Sequence, residues 1–264
     1  MDNQKDIKIH VPIQGNSLLE KALKTINEDK EITTLWKIIN INAIERLGMS
    51  DHGPVHFQIV ANIALRLARI LAKNKVEMSI TKDFGLTYNL AELTILLASL
   101  FHDLGMSISR EGHEEFSLIL TNRILDRVLT FLPIEEKTIV TSEVLHAIIS
   151  HRRGGIPATI EAGIVRVSDA LDMSEGRSRI PYEKGRVDIY SLSAVAIDDV
   201  SISIGVEKPI EINIIMNNSA GLFQVDELLK NKLKGSGIEN FVSVKAYIKR
   251  STEKKLIKEF TINL

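Results

Sequence analysis

Residues 90–104, LAELTILLASLFHDL, are apolar nearly all the way round a helix. A helix without a polar face must lie inside the protein, so this segment demands a jacket of other helices. The flanking sequence supplies them. Leu18, Leu19, Ala22 and Ile26 form one stripe after Ser17, and Leu35, Ile38, Ile39 and Ala43 form another before Gly48, a plausible helix stop. After Asp51, the positions His56, Val60, Ile63, Leu67 and Ile70 share one narrow sector. Two further helices are expected at Pro133–His151 and Pro157–Met173, each with its proline in the first turn. At the start, Ile7, Ile9, Val11 and Ile13 alternate with Lys8 and His10, the pattern of a short strand or an extended arm.

Beyond about Arg186 the period changes from helical to alternating. Val200–Ile204, Ile210–Ile215, Val242–Ile248 and Leu256–Ile262 read as half-buried strands, and Phe223–Leu233 reads as an amphipathic helix ending near Gly235. The expected architecture is mainly α: a helical domain over residues 1–185, with a short extended arm, and a smaller α+β domain over 186–264. Exposed strand edges on such an appendage commonly serve dimerisation, so a homo-oligomer is expected.

Composition narrows the chemistry. Among 264 residues, 33 Lys+Arg face 34 Asp+Glu, so there is no basic excess and nucleic acid is not an expected partner. There is no cysteine, which removes disulfides, thiolate zinc sites and cysteine nucleophiles; any metal must sit on imidazole and carboxylate. The start, MDNQKDIKIH, has no apolar signal region. No run approaches the ~18 apolar residues of a membrane span. A cytoplasmic address, away from membranes, is the expectation.

Six of the seven histidines lie between His52 and His151. His102-Asp103 closes the most apolar helix just before Leu104-Gly105, which has the look of a glycine helix stop. Helix C-termini carry partial negative charge, an environment that favours a cation. His56 lies on the buried stripe of its helix. Asp169 shares a stripe with Ala162, Val165 and Met173, opposite a second apolar stripe of Ile160, Ile164, Val167 and Leu171. An ionised carboxylate enclosed in that way is costly unless a cation or strong donors meet it. Two imidazoles and two carboxylates in a dry core suit Fe²⁺, Mn²⁺, Ni²⁺ or Zn²⁺ better than Ca²⁺.

These residues resemble the HD-domain phosphohydrolases. The matching order is His56, then His102-Asp103 inside LLASLFHDLGMS, then Asp169 inside IVRVSDALDM. The stretch SHRRGGIPATIEAGIVRVSDALD is also similar to the segment before the last aspartate of the HD-GYP branch. The likeness covers about residues 50–175 and does not reach the C-terminal domain. It implies an all-helical fold, a metal-bound water as nucleophile, and a phosphoester or phosphoanhydride substrate, a nucleotide or another phosphorylated small molecule.

Within that resemblance Asp103 is the natural bridge between two ions, and His113 and His151 are candidates for a second site. Ser150-His151 stands where two-metal relatives often carry a His-His pair; His146, one turn earlier, is an alternative that lies off the inward stripe. One or two divalent ions per chain are therefore both open. His52, four residues before His56, could face the pocket from the first turn as ligand or proton donor, so Asp103, His113 and His52 are the catalytic candidates. Arg152, Arg153, Arg177 and Arg179 flank the site in sequence and suit phosphate oxygens. Asp172 is rotated toward the polar side and reads as a supporting or structural residue. Asn217–Gly221, NNSAG, offers backbone donors for an anion or simply starts a helix. The rival functional reading is a nucleotide-sensing module that signals through its C-terminal domain.

Overall fold

The apolar segment becomes α5 (Tyr88–Phe101), buried at every position from Leu90 to Phe101. The computed structural model describes residues 8–152, 154–173, 189–248 and 253. Around α5 pack α1 (Ser17–Glu28), α3 (Pro54–Lys73), α4 (Ser79–Phe84), α7 (Ile134–Ser150) and α8 (Ile160–Leu171). α2 (Lys30–Asn40) and α6 (His113–Val128) close over the 3-10 turn Leu104–Ser107 that follows α5. Several of the polar residues that enter this core are paired. Ser99 Oγ donates to the Ile95 carbonyl at 2.7 Å, and the buried Glu92 accepts from Arg69 Nε at 2.7 Å and Asn16 Nδ2 at 2.9 Å.

Short polar residues set the helix starts, as capping requires. Asn16 caps α1, Asp29 caps α2 and Thr159 caps α8 through their side-chain oxygens. Gly48 does stand in the left-handed region, at φ 61°, after a π-helical segment Ile41–Arg46. Two details differ from expectation. Pro133 is the cap residue before α7, and Pro157 lies ahead of the Thr159 cap, so neither is in a first turn. Residues 8–13 form no strand; they are an extended arm whose buried Ile9 exchanges two hydrogen bonds with the Asn27 side chain.

Pro54–Lys73 and the stretch Tyr88–Ser107 are, by length and composition alone, long and apolar enough to cross a membrane, contrary to the sequence expectation. Their apolar faces are spent within the fold: 56% of the first window and 94% of the second are buried inside the protein. Scattered polar residues hide such runs from a count of consecutive apolar letters.

The C-terminal side carries helix α9 (Ile189–Val195) and a three-stranded sheet, β1 (Ile197–Ile204), β2 (Ile210–Met216) and β3 (Val242–Ile248). The order is β1-β2-β3, antiparallel then parallel, with Ile212 opposite Ile202 and Val244. Alternation decides the packing: Ile210, Ile212, Ile214 and Met216 are buried on one face of β2, which rests against α3. The parallel pairing needs a crossover, and residues 224–233 provide it as a π-helical segment, Gln224–Leu229, running into Lys230–Leu233, both against α8. The amphipathic helix expected there is thus underwound in its first half. The strand expected at Leu256–Ile262 and the boundary at 185–186 lie outside the described residues. The fold is mainly α, with a small sheet on the C-terminal side.

Candidate metal centre

α5 stops at Phe101, with His102 as its cap residue and Asp103 opening the 3-10 turn. Gly105 is not the left-handed stop that its position suggested; it is absent from the glycines of positive φ. Its smallness serves an approach instead. A Cβ at Gly105 would overlap the His113 carbonyl oxygen, so only glycine lets the start of α6 descend onto the turn. Ser117 locks the contact, accepting from Gly105 N at 2.8 Å and donating to the His102 carbonyl at 2.7 Å. His113, the first residue of α6, thereby arrives beside Asp103. His56 comes from the first turn of α3, His151 caps the end of α7, and Asp169 lies in the last turn of α8. Five helix ends converge.

The polar atoms divide about the Asp103 carboxylate. On one side, His56 Nε2 and His102 Nε2 stand 3.2 Å apart. Asp169 Oδ1 lies 3.4 and 3.8 Å from them, and Asp103 Oδ2 lies 3.8 and 3.6 Å from them. On the other side, Asp103 Oδ1 faces His113 Nε2 at 3.1 Å and His151 Nε2 at 3.6 Å. His52 Nδ1 meets Asp103 Oδ2 at 2.9 Å. His56, His102, Asp103, His113 and His151 are all buried.

Tautomers follow from the far side of each ring. A carbonyl can only accept, so Nδ1 carries the proton in His102 (to Ser99 O, 3.0 Å), His113 (to Arg110 O, 2.9 Å) and His151 (to Ile148 O, 2.6 Å). His56 Nδ1 donates to Asp172 Oδ2 at 2.6 Å. In each neutral ring Nε2 then bears a lone pair aimed inward. Two lone pairs 3.2 Å apart, with carboxylate oxygens beside them, repel unless a positive charge stands among them. Imidazole nitrogens with an anchored Nδ1–H and convergent carboxylates are the donor set of a divalent transition metal. The residues fit such an ion. His56, His102 and Asp169 form one group that can hold it; His102, Asp103 and His151 form another, and His113, Glu114 and His151 a third.

Electrostatics agree with the geometry. Burial alone would raise the Asp103 carboxyl, but His102, His113 and His52 outweigh it and hold it well below the usual carboxylate range. Burial likewise works against Asp169, and the Lys232 ammonium with His56 and His102 wins, again holding it low. Burial pushes His102 down and His151 down to about 3, so both rings stay neutral and keep their lone pairs. His113 is raised: burial opposes its charge, yet Asp103 Oδ1 beside Nε2 favours it more.

Several placements depart from the sequence reading. His52 lies in the loop before α3, not in its first turn, and still reaches Asp103. His146 is outside the cluster: its Nε2 accepts from Ala158 N at 2.9 Å, because its helix face points toward the α7–α8 link. Asp172 is not on a polar side. The chain leaves helical geometry there, at ψ 65°, and turns the buried carboxylate back under His56. Arg152 is paired with the buried Glu114, its Nε 2.9 Å from Oε1. Arg153, Arg177 and Arg179 lie outside the described residues. At Asn217–Gly221 the donors are already taken: Asn218 caps Ala220 N, and Glu253 accepts from Ser219 N and Oγ. Two neighbours carried no signal of their own in the sequence, Glu114 beside His113 and Lys232 beside Asp169.

The family model described as HD domain matches residues 55–174. An uncharacterized protein of Methanocaldococcus jannaschii is 44% identical over 236 residues, covering 89% of this chain and 90% of that protein. No solved structure matches the chain significantly.

Proposed function

We propose that this chain, which belongs to the HD-domain superfamily of metal-dependent phosphohydrolases, cleaves a phosphoester or phosphoanhydride bond of a nucleotide or another phosphorylated small molecule. One observation carries the reading. Four anchored imidazoles aim Nε2 at the two oxygens of a single buried carboxylate, Asp103. In the proposal His56, His102, Asp103 and Asp169 hold one divalent ion, and His113 and His151 hold a second that shares Asp103. Metal ions so placed supply Lewis acidity toward phosphoryl oxygens and make water a better nucleophile near neutral pH.

The chain's own residues then do the rest. Asp172 fixes the His56 ring, and the Ser99, Arg110 and Ile148 carbonyls fix the other three, so no reorganisation is needed during reaction. His52, whose Nδ1 is hydrogen-bonded to the ionised Asp103 Oδ2, is the proton donor of this reading and gives its own proton to the reacting groups. The test is metal analysis of the purified protein, followed by a screen of phosphomonoesters, phosphodiesters and nucleoside triphosphates with Mn²⁺, Fe²⁺ and Ni²⁺. Bound metal with turnover of one class supports the reading, and a metal-free protein inert toward all of them sinks it.

A second reading is a nucleotide sensor. It is favoured by Arg166, a buried residue of α8 that bonds the Lys232 carbonyl at 3.1 Å and the Asn231 carbonyl at 3.2 Å, tying the C-terminal unit to the helix that carries Asp169. Tight nucleotide binding without turnover would select this alternative.

A further inference from the structure

The cluster described above is built from the helical part of the chain, with one exception. Lys232 belongs to the crossover segment between β2 and β3, and its Nζ ion-pairs with Asp169 Oδ2. Asp169 divides its two oxygens: Oδ1 faces His56 and His102, and Oδ2 faces Lys232. We propose that Lys232 is the anion-binding residue of the centre, holding a non-bridging oxygen of the substrate's phosphoryl group while it braces Asp169. The proposal rests on the phosphohydrolase reading and deepens it, because it makes the C-terminal unit part of the site.

Three observations carry it. First, an ammonium has three N–H donors, and among the described residues the recorded partner of Nζ is Asp169 alone, so two donors are unspent. The side chain keeps 17% of its surface accessible, enough for a ligand to reach it. Second, the carboxylate it pairs with turns its other oxygen to His56 Nε2 at 3.4 Å and His102 Nε2 at 3.8 Å, so the ammonium stands one carboxylate away from those nitrogens. Of the neighbouring arginines, Arg152 is paired with Glu114 and Arg166 bonds backbone carbonyls.

Third, the backbone that carries Lys232 is held to the site with unusual care for a crossover. Arg166 bonds the carbonyls of Asn231, Lys232, Ser150 and Gly155, joining the crossover to the end of α7. At Gly163 a Cβ would overlap the Ser236 carbonyl oxygen, so α8 and the crossover touch backbone to backbone. A lysine that only neutralised Asp169 would not need its main chain fixed from two sides. One that must place donors against a substrate oxygen does.

The experiment uses the full chain loaded with Mn²⁺ and inorganic phosphate as the probe, read by titration calorimetry, with a parallel Mn²⁺ titration. Lys232→Met should keep the wild-type metal stoichiometry and bind phosphate at least about tenfold more weakly, the loss expected for a hydrogen bond to a charged group. Lys232→Arg should restore most of the phosphate affinity. Phosphate binding unchanged in Lys232→Met overturns the proposal, as does a loaded wild type that binds no phosphate. Loss of Mn²⁺ from Lys232→Met would also overturn it, since Lys232 would then act through Asp169 alone. Lys232-dependent phosphate binding in a wild type that hydrolyses nothing would uphold the proposal and reject the hydrolase reading instead.

Discussion

His56 and His102 bring their Nε2 atoms within 3.2 Å of each other, although each ring already donates from Nδ1, His56 to Asp172 and His102 to the Ser99 carbonyl. Two acceptor nitrogens at that distance suit a shared cation, which is the role proposed for them. Removing one half should release it. His102→Ala or Asp103→Ala is expected to purify without metal and without metal-dependent hydrolysis, while circular dichroism retains most of the helical signal. Full metal occupancy in either variant would refute the assignment.

Asp172→Asn tests the support under His56. The amide keeps the shape but removes the charge that anchors the Nδ1–H. Loss of such a partner typically weakens metal affinity by about 10–100-fold. Titration of the apoprotein with Mn²⁺ measures it; an unchanged affinity would mean that Asp172 only fills space.

The number of ions is a separate question. His113 and His151 approach Asp103 Oδ1, while His56 and His102 approach Oδ2, and ions so bridged sit ~3.5–4 Å apart. Wild type should take up two ions per chain and His151→Ala one. A stoichiometry of one in both proteins would eliminate the second position.

Acid should empty the two positions in order. The raised His113 accepts its second proton at a higher pH than an ordinary histidine, and that proton occupies the nitrogen a cation would use. His102 is lowered by burial, so its lone pair survives to lower pH. Metal content should drop first at the His113 side, as pH falls toward about 6.5, the unperturbed histidine value, and at the His56–His102 side only below it. Metal analysis after dialysis across this range checks the order; simultaneous loss of both ions would contradict it.

Gly105→Ala should act on the second position through packing. Its Cβ would overlap the His113 carbonyl, forcing the start of α6 away from Asp103. Overpacking of this kind costs ~1–3 kcal/mol. The expected result is a lower melting temperature, with loss of one ion and retention of the other. An alanine variant with wild-type melting and two ions would show that α6 does not depend on this approach.

Much of the centre was legible because its residues advertise themselves one at a time. A polar pair ending an all-apolar helix, as at His102-Asp103, and a carboxylate between two apolar stripes, as at Asp169, are anomalies of burial that need no third dimension. Gly105 was visible as a special residue but misread: a glycine after a helix suggests a turn, and nothing local tells a turn from a close approach. His146 and His151 are five residues apart on one helix, and the period alone separates them: His151 faces Asp103, whereas His146, off the inward stripe, faces Ala158.

The periodicities of the chain by themselves determined the helical class, the buried position of α5, the presence of strands on the C-terminal side and the identity of the inward histidines. These depend on side-chain spacing along one element, which is a local property. The tertiary structure alone decided which oxygen of Asp103 each histidine meets, that Asp172 returns under His56 across 116 residues, and that Lys232 reaches Asp169 across 63. Those relationships depend on how separate elements pack, through contacts such as Gly105 with α6 and Arg166 with the crossover. No spacing within a single helix encodes them.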